Sequence, residues 1–169
     1  MSSPFWVPTD TPGRLAILAR PRGGEWLPDD AAEWKDAGLH TVVSLLGEEE
    51  EADLELLDES SECVRAGLQF LAAPVMDRGL PDDTSAFGEL AAELAAKVAA
   101  GESIGIHCRL GIGRSPLLAI AMLITLGVPA PEAIRRASAA RGRPVPETPE
   151  QLEWISRYRS PALATAGTV

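Results

Sequence analysis

"IHCRLGIGRSP", residues 106–116, ends an apolar run that begins at Ser103 and leads straight into the apolar segment SPLLAIAMLITLG, 115–127. Residues 103–108 read as a short buried strand. Residues 115–127 are apolar on all sides and read as an interior helix, with Pro116 suited to its first turn. Strand, glycine-bearing loop and helix in that order put the loop at the carboxyl end of a strand, where open α/β sheets collect ligands. Gly111 and Gly113 let backbone N–H groups turn inward as a nest, and the helix start adds its dipole. Such a loop cradles a tetrahedral, phosphate-like anion. The N–H groups of Arg109, Leu110, Gly111, Ile112 and Gly113 are its expected lining. Arg114 supplies a fork for two anion oxygens, and the same surroundings favour a thiolate at Cys108 when the cradle is empty. Ser115 is placed to donate a hydrogen bond to that sulfur. His107 is placed to hold local carbonyls and hydroxyls around it.

Outward from this loop the chain alternates strand and helix signals. Residues 14–19, 40–46 and 68–75 read as further strands, and 29–38, 84–101, 130–142 and 148–159 as helices. Residues 84–101 carry Phe87, Leu90, Leu94 and Val98 at helical spacing, with Thr84 or Ser85 as the expected cap. The acidic run 47–60 reads as a helix with a solvated face. The first 13 residues, with three prolines, are expected to lie across the surface, and 160–169 to form a disordered tail. The pattern predicts an α/β fold, a largely parallel sheet of four to five strands flanked by helices, in one domain over 1–159.

Composition narrows the function. With 169 residues, 46% hydrophobic and 24% charged, the chain suits one globular core. A formal net charge of −10 argues against nucleic acid or an anionic membrane as the main partner. No basic-then-apolar leader opens the sequence and its longest apolar stretch is too short to span a bilayer, so a cytoplasmic monomer is expected. The two cysteines, Cys63 and Cys108, make no disulfide scaffold, and with His40 and His107 they show no metal-ligand spacing. Neither a metal nor another cofactor is expected. A nucleotide-binding loop would carry lysine where Arg114 stands.

A thiolate expels an alkoxide or phenolate poorly, so a general acid is needed. Loop carboxylates at Asp77, Asp82, Asp83 and Glu147 are the candidates, the middle pair also being suited to capping the next helix. The string "HCRLGIGRS" resembles the His-Cys-x5-Arg-Ser signature of the cysteine-based protein tyrosine phosphatases. "GRLAILARPRGGEWL", "GLHTVVSLLGEEE", "GLQFLAAPVMD" and "RGRPVPETPEQLEW" are similar to successive segments of the small atypical dual-specificity phosphatases, over roughly residues 5–159. The resemblance implies a tyrosine-phosphatase-like fold, with Cys108 as nucleophile, Arg114 as anion ligand and Asp77 as acid. It also implies a glutamine, Gln151, near the attacking water, and Glu147 as an alternative acid. Phosphotyrosine, with phosphoserine or phosphothreonine, in proteins or small phosphomonoesters is the implied substrate. Inositol phosphates, phosphoinositides and RNA 5′-phosphates are alternatives, and so is a non-catalytic phosphate-binding module. The chain departs from the family at Pro116, where glycine is frequent, and at Arg109, where a small residue is common. It lacks the loop lysines of the lipid-phosphate branch. Some relatives permit a protective disulfide, here Cys63 with Cys108; the plain reading of Cys63 is a buried, inert thiol.

Overall fold

Short apolar runs become strands, and the strands that pair parallel are joined through helices, as parallel pairing requires. The computed structural model describes residues 3–161. Strands β1 (Phe5–Val7), β2 (Arg14–Ile17), β3 (Thr41–Ser44), β4 (Gln69–Ala72) and β5 (Ser103–His107) form one sheet in the order β1-β2-β5-β3-β4. The pairs β2–β5, β5–β3 and β3–β4 are parallel, and only β1 runs antiparallel. β5 is therefore central and buried along its whole length.

The helices are α1 (Leu27–Asp36), α2 (Glu48–Asp53), α3 (Glu59–Arg65), α4 (Thr84–Ala99), α5 (Arg114–Thr125), α6 (Ala130–Arg141) and α7 (Pro149–Arg157). Side chains alternate across β5. Ile104, Ile106 and Cys108 face the larger core, built with α4, α5 and α6. The opposite face carries a smaller core that includes Ala31 and Trp34 of α1 and Cys63 of α3. α5 is buried from Arg114 to Ile124, which explains its all-round apolar sequence.

Several details differ from the sequence reading. Residues 5–7 form an edge strand rather than a surface strap. Alternation explains it: Trp6 lies under Arg14, 3.9 Å from guanidinium carbon to ring centroid, and Phe5 lies under Arg141 at 4.2 Å. The run 47–60 is two short helices, broken near Glu55, whose φ is +56°. The cap of α4 is Asp83, accepting from the Ala86 N–H at 3.0 Å, rather than Thr84 or Ser85. Of the expected tail, Ser160 is fully buried and Pro161 packs against the Gly88 position, while 162–169 lie outside the described residues. No helix among the described residues is long and apolar enough to cross a membrane.

Candidate active site

The loop between β5 and α5 brings Cys108, Arg114 and Ser115 together. Cys108 is 2% exposed. Its Sγ lies 3.2 Å from Ser115 Oγ and accepts from the Gly111 N–H at 3.3 Å. Gly111 makes the turn with φ +72°, a conformation costly for any residue with a Cβ. Gly113 sits in a tight spot: a Cβ there would meet Gln151 Nε2 at 3.2 Å and Glu147 Cγ at 3.3 Å, so those side chains would have to give. Arg109 and Ile112 are half-buried, and Leu110 is exposed. Arg141, at the end of α6, braces the loop from outside. Its Nε donates to the Gly111 carbonyl at 2.7 Å. Burial, then the neighbouring charge of Arg143, pulls its pKa below the usual arginine value.

Arg114 is buried at the amino end of α5 and held on several sides. One terminal nitrogen donates to Glu50 Oε2 at 2.8 Å and to the Val75 carbonyl at 2.9 Å. The other donates to Glu50 Oε1 at 2.9 Å and to Asp77 Oδ1 at 3.0 Å. Burial works against the guanidinium charge. The hydrogen bonds from Glu50 and the charges of Cys108, Glu50 and Asp77 outweigh it, so protonation is firmer than usual. Burial likewise works to raise the pKa of Glu50, but the hydrogen bond from Arg114, with a smaller one from the Gly47 N–H, holds its carboxyl below the ordinary range. Glu50 thus aims the arginine fork with a bidentate grip. The two partners of Arg114 differ in exposure, Glu50 at 18% and Asp77 at 54% of the side chain.

Of the four acid candidates, Asp77 alone meets Arg114. Glu147 instead pairs with Arg78 at 3.0 Å, and Asp83 is occupied as a cap. Gln151 is buried and its amide is engaged at both ends. Oε1 accepts from the Thr148 N–H at 3.2 Å, and Nε2 donates to the Gly79 carbonyl at 3.1 Å. It therefore ties α7 to the loop that carries Asp77. His107 is buried, with Nε2 2.5 Å from Glu59 Oε1 and Nδ1 3.4 Å from the Cys108 carbonyl oxygen.

Cys63 lies in the core of the opposite sheet face from Cys108, and both thiols are free. Burial, then Glu59 and Glu62, pushes the Cys63 thiol up to about 12. Arg22 is paired with the buried Asp30 at 2.6 Å. Trp26 is half-exposed with Arg22 over its ring. Among the described residues no group of three or more His, Cys, Asp or Glu side chains is arranged to hold a metal ion. A groove of about 580 Å³ between α4 and α7 shares no residue with 107–115.

Sequence reasoning overlooked Glu50 and Glu59, which it left in a solvated acidic face. No local signal separates them from their acidic neighbours. The grip of Arg141 on the Gly111 carbonyl is a tertiary contact with no local sequence signal.

No family model matches the chain. Solved structures do. A kinase-associated phosphatase with its catalytic cysteine changed to serine superposes with a TM-score of 0.86 at 21% identity, covering 96% of each chain. The active form of Tk-PTP gives 0.71 at 26% identity, over 92% of this chain and 96% of that one. PTPMT1 in complex with PI(5)P gives 0.73 at 22%, over 96% and 99%. The fold is that of the cysteine-based protein tyrosine phosphatases. Within that superfamily the chain resembles the small atypical dual-specificity enzymes, and its neighbours support a phosphatase.

Proposed function

We propose that this protein is a cysteine-dependent protein phosphatase that hydrolyses phosphotyrosine, and with it phosphoserine or phosphothreonine, monoesters. The observation that carries the reading is the convergence on one cradle of Cys108 Sγ, the Gly111 N–H, Ser115 Oγ and an Arg114 held in place by Glu50. The Cys108 thiolate attacks phosphorus in line with the ester oxygen. The N–H groups of residues 109–114 and the Arg114 fork take up the charge on the remaining phosphoryl oxygens. Asp77 accepts from one nitrogen of that fork as a carboxylate. A bound dianion takes over this nitrogen, and the released, half-exposed carboxylate takes up a proton from solvent to become the acid for the leaving oxygen. Asp77 protonates that oxygen as the P–O bond breaks, leaving a cysteinyl-phosphate. Water then attacks phosphorus and gives its proton to Asp77. The S–P bond breaks while Ser115 donates to the departing sulfur, and inorganic phosphate leaves. His107, Gln151 and Glu147 support the loops rather than react. Residues 1–159 form the catalytic domain, and the protein acts as a cytoplasmic monomer without metal or cofactor.

Met76 and Leu110, at 77% and 64% exposure, adjoin Asp77 and the cradle loop. They offer an apolar collar to an aromatic or peptide group, which supports a protein substrate. A phosphoinositide is the second reading, supported by the likeness to PTPMT1 in complex with PI(5)P. One panel separates the readings: p-nitrophenyl phosphate, phosphotyrosine, phosphoserine and phosphothreonine peptides, PI(5)P vesicles, inositol phosphates and 5′-phosphorylated RNA. The expected outcome is fastest turnover of phosphotyrosine peptides. Cys108→Ser is expected to fall by roughly four orders of magnitude or more in rate while still binding them. Turnover of lipid alone would transfer the assignment to the second reading. Binding without any product would make the protein a phosphate-reading module.

A further inference from the structure

Behind the cradle, on the other face of β5, Glu59 reaches from α3 to His107. The pair is dry: Glu59 is 1% exposed and His107 fully buried. Trp34 of α1 stacks over the imidazole, with centroids 5.9 Å apart and planes at 25°. The ring stands between two oxygens, Glu59 Oε1 at Nε2 and the Cys108 carbonyl at Nδ1. Glu59 Oε2 has no hydrogen-bond partner among the described residues.

This arrangement limits where the protons sit. A neutral imidazole with its hydrogen on Nε2 would turn the Nδ1 lone pair onto the Cys108 carbonyl oxygen, lone pair against lone pair. Two arrangements avoid this. In one, an imidazolium faces the Glu59 carboxylate. In the other, Glu59 keeps a proton on Oε1 and gives it to Nε2, and the ring hydrogen is on Nδ1. In both, Nδ1 carries a hydrogen and donates to the Cys108 carbonyl. The two differ only in where one proton rests along the Glu59–His107 hydrogen bond.

We propose that Glu59 is a positioning residue for the nucleophile: it keeps a hydrogen on His107 Nδ1, and that hydrogen holds the Cys108 carbonyl back so that Sγ stays under the Gly111 N–H. The proposal rests on the phosphatase reading only for its purpose, since the hydrogen-bond chain is present whatever the substrate. The titratable groups facing the pair lie on the elements packed around it. Glu51 on α2, Glu62 and Cys63 on α3 and Cys108 at the end of β5 are its titratable neighbours, and Trp34 on α1 is neutral. Burial, then the charge of Glu59, pushes the Glu51 carboxyl above its usual range.

Alkylation of Cys108 by iodoacetamide across pH 5–9, read by mass spectrometry, tests the proposal without using turnover. In Glu59→Gln the pH of half-maximal alkylation is expected to rise by about one unit, with the plateau rate unchanged. Well below the half-maximal pH that is about a tenfold fall in reactivity. His107→Asn is expected to shift it as far, and the double variant no further, because the two residues act as one chain. An unshifted profile in Glu59→Gln, or additive shifts in the double variant, would overturn the proposal. If Glu59→Gln does not fold, the 1H–15N correlation of the His107 ring in the unaltered protein decides. A protonated Nδ1 supports the chain and an unprotonated one ends it. If the substrate panel fails while the alkylation shift is found, the phosphatase reading falls and this one stands.

Discussion

Cys108 and His107 are consecutive residues with opposite surroundings. Cys108 faces the larger core and the cradle, where the charges around Arg114 are partly open to solvent: Asp77 keeps 54% of its side chain exposed and Glu50 18%. His107 faces the smaller core, where its acidic partner is 1% exposed. On the open side, an ion pair can be exchanged for a substrate dianion at small net cost, because water screens and replaces its partners. On the closed side, breaking the Glu59–His107 hydrogen bond would leave buried polar groups unpaired in a dry interior, which costs about 1–3 kcal/mol or more. The proposed nucleophile, Cys108, is thus flanked by two polar supports of different kinds. One is made to be displaced, and the other is fixed.

The sharpest way to break this contrast is to remove the displaceable partner. Asp77→Asn is expected to lower kcat about 100-fold or more towards esters with poor leaving groups, and to flatten the alkaline limb of the pH–rate profile. Glu147→Gln, paired with Arg78, is expected to change kcat by no more than a few-fold. The opposite ranking in parallel steady-state profiles would move the general acid to Glu147.

A smaller effect should follow from loosening the less exposed partner. Glu50→Gln keeps the shape but loses the charge-assisted grip on Arg114, so kcat/KM is expected to fall about tenfold. It also changes the response to acid. The folded-state pKa of Glu50 is lowered despite burial, through the hydrogen bond from Arg114. The folded protein therefore binds this proton less readily than the unfolded chain. The resulting stability is fully present above the ordinary carboxylate value of 4.5 and is lost as pH falls through the depressed folded value. Melting curves between pH 6 and 3 should show Glu50→Gln losing less Tm than the unaltered protein. A steeper loss in the variant would contradict the sign.

The smallest effect is expected at Cys63. Burial, then Glu59 and Glu62, pushes its thiol up to about 12, so it stays protonated at neutral pH. Iodoacetamide at pH 8 should label one cysteine in the folded protein, Cys108. Cys63→Ala should leave kcat unchanged while lowering stability by about 1 kcal/mol, measured by urea denaturation. Labelling of Cys63 at a rate matching Cys108 would show that the closed side opens.

The cradle was legible because its chemistry is contiguous: strand, two glycines, arginine and helix start occupy eleven residues, 106–116. Asp77 was narrowed to one of four acids by its loop and by the family resemblance, and Arg114 then singles it out in space. Glu50 and Glu59 were not legible for a physical reason. They sit in a run of similar acids, and the inward-facing ones are selected by the break near Glu55, which local propensity does not specify. Gln151 was half legible. Thr148 and Gln151 have the spacing of a reciprocal helix cap, and that pattern could have told its amide was engaged. Edge strand β1 was hidden by prolines and by its three-residue length.

Arg141 joins the Gly111 carbonyl to the ring of Phe5. The outermost strand and the last turn of α6 are therefore mechanically connected to the loop that does the chemistry. A fusion or antibody that peeled residues 5–7 from the sheet would leave Arg141 without its aromatic seat, and a reagent attached there would dull the enzyme it was meant to report on.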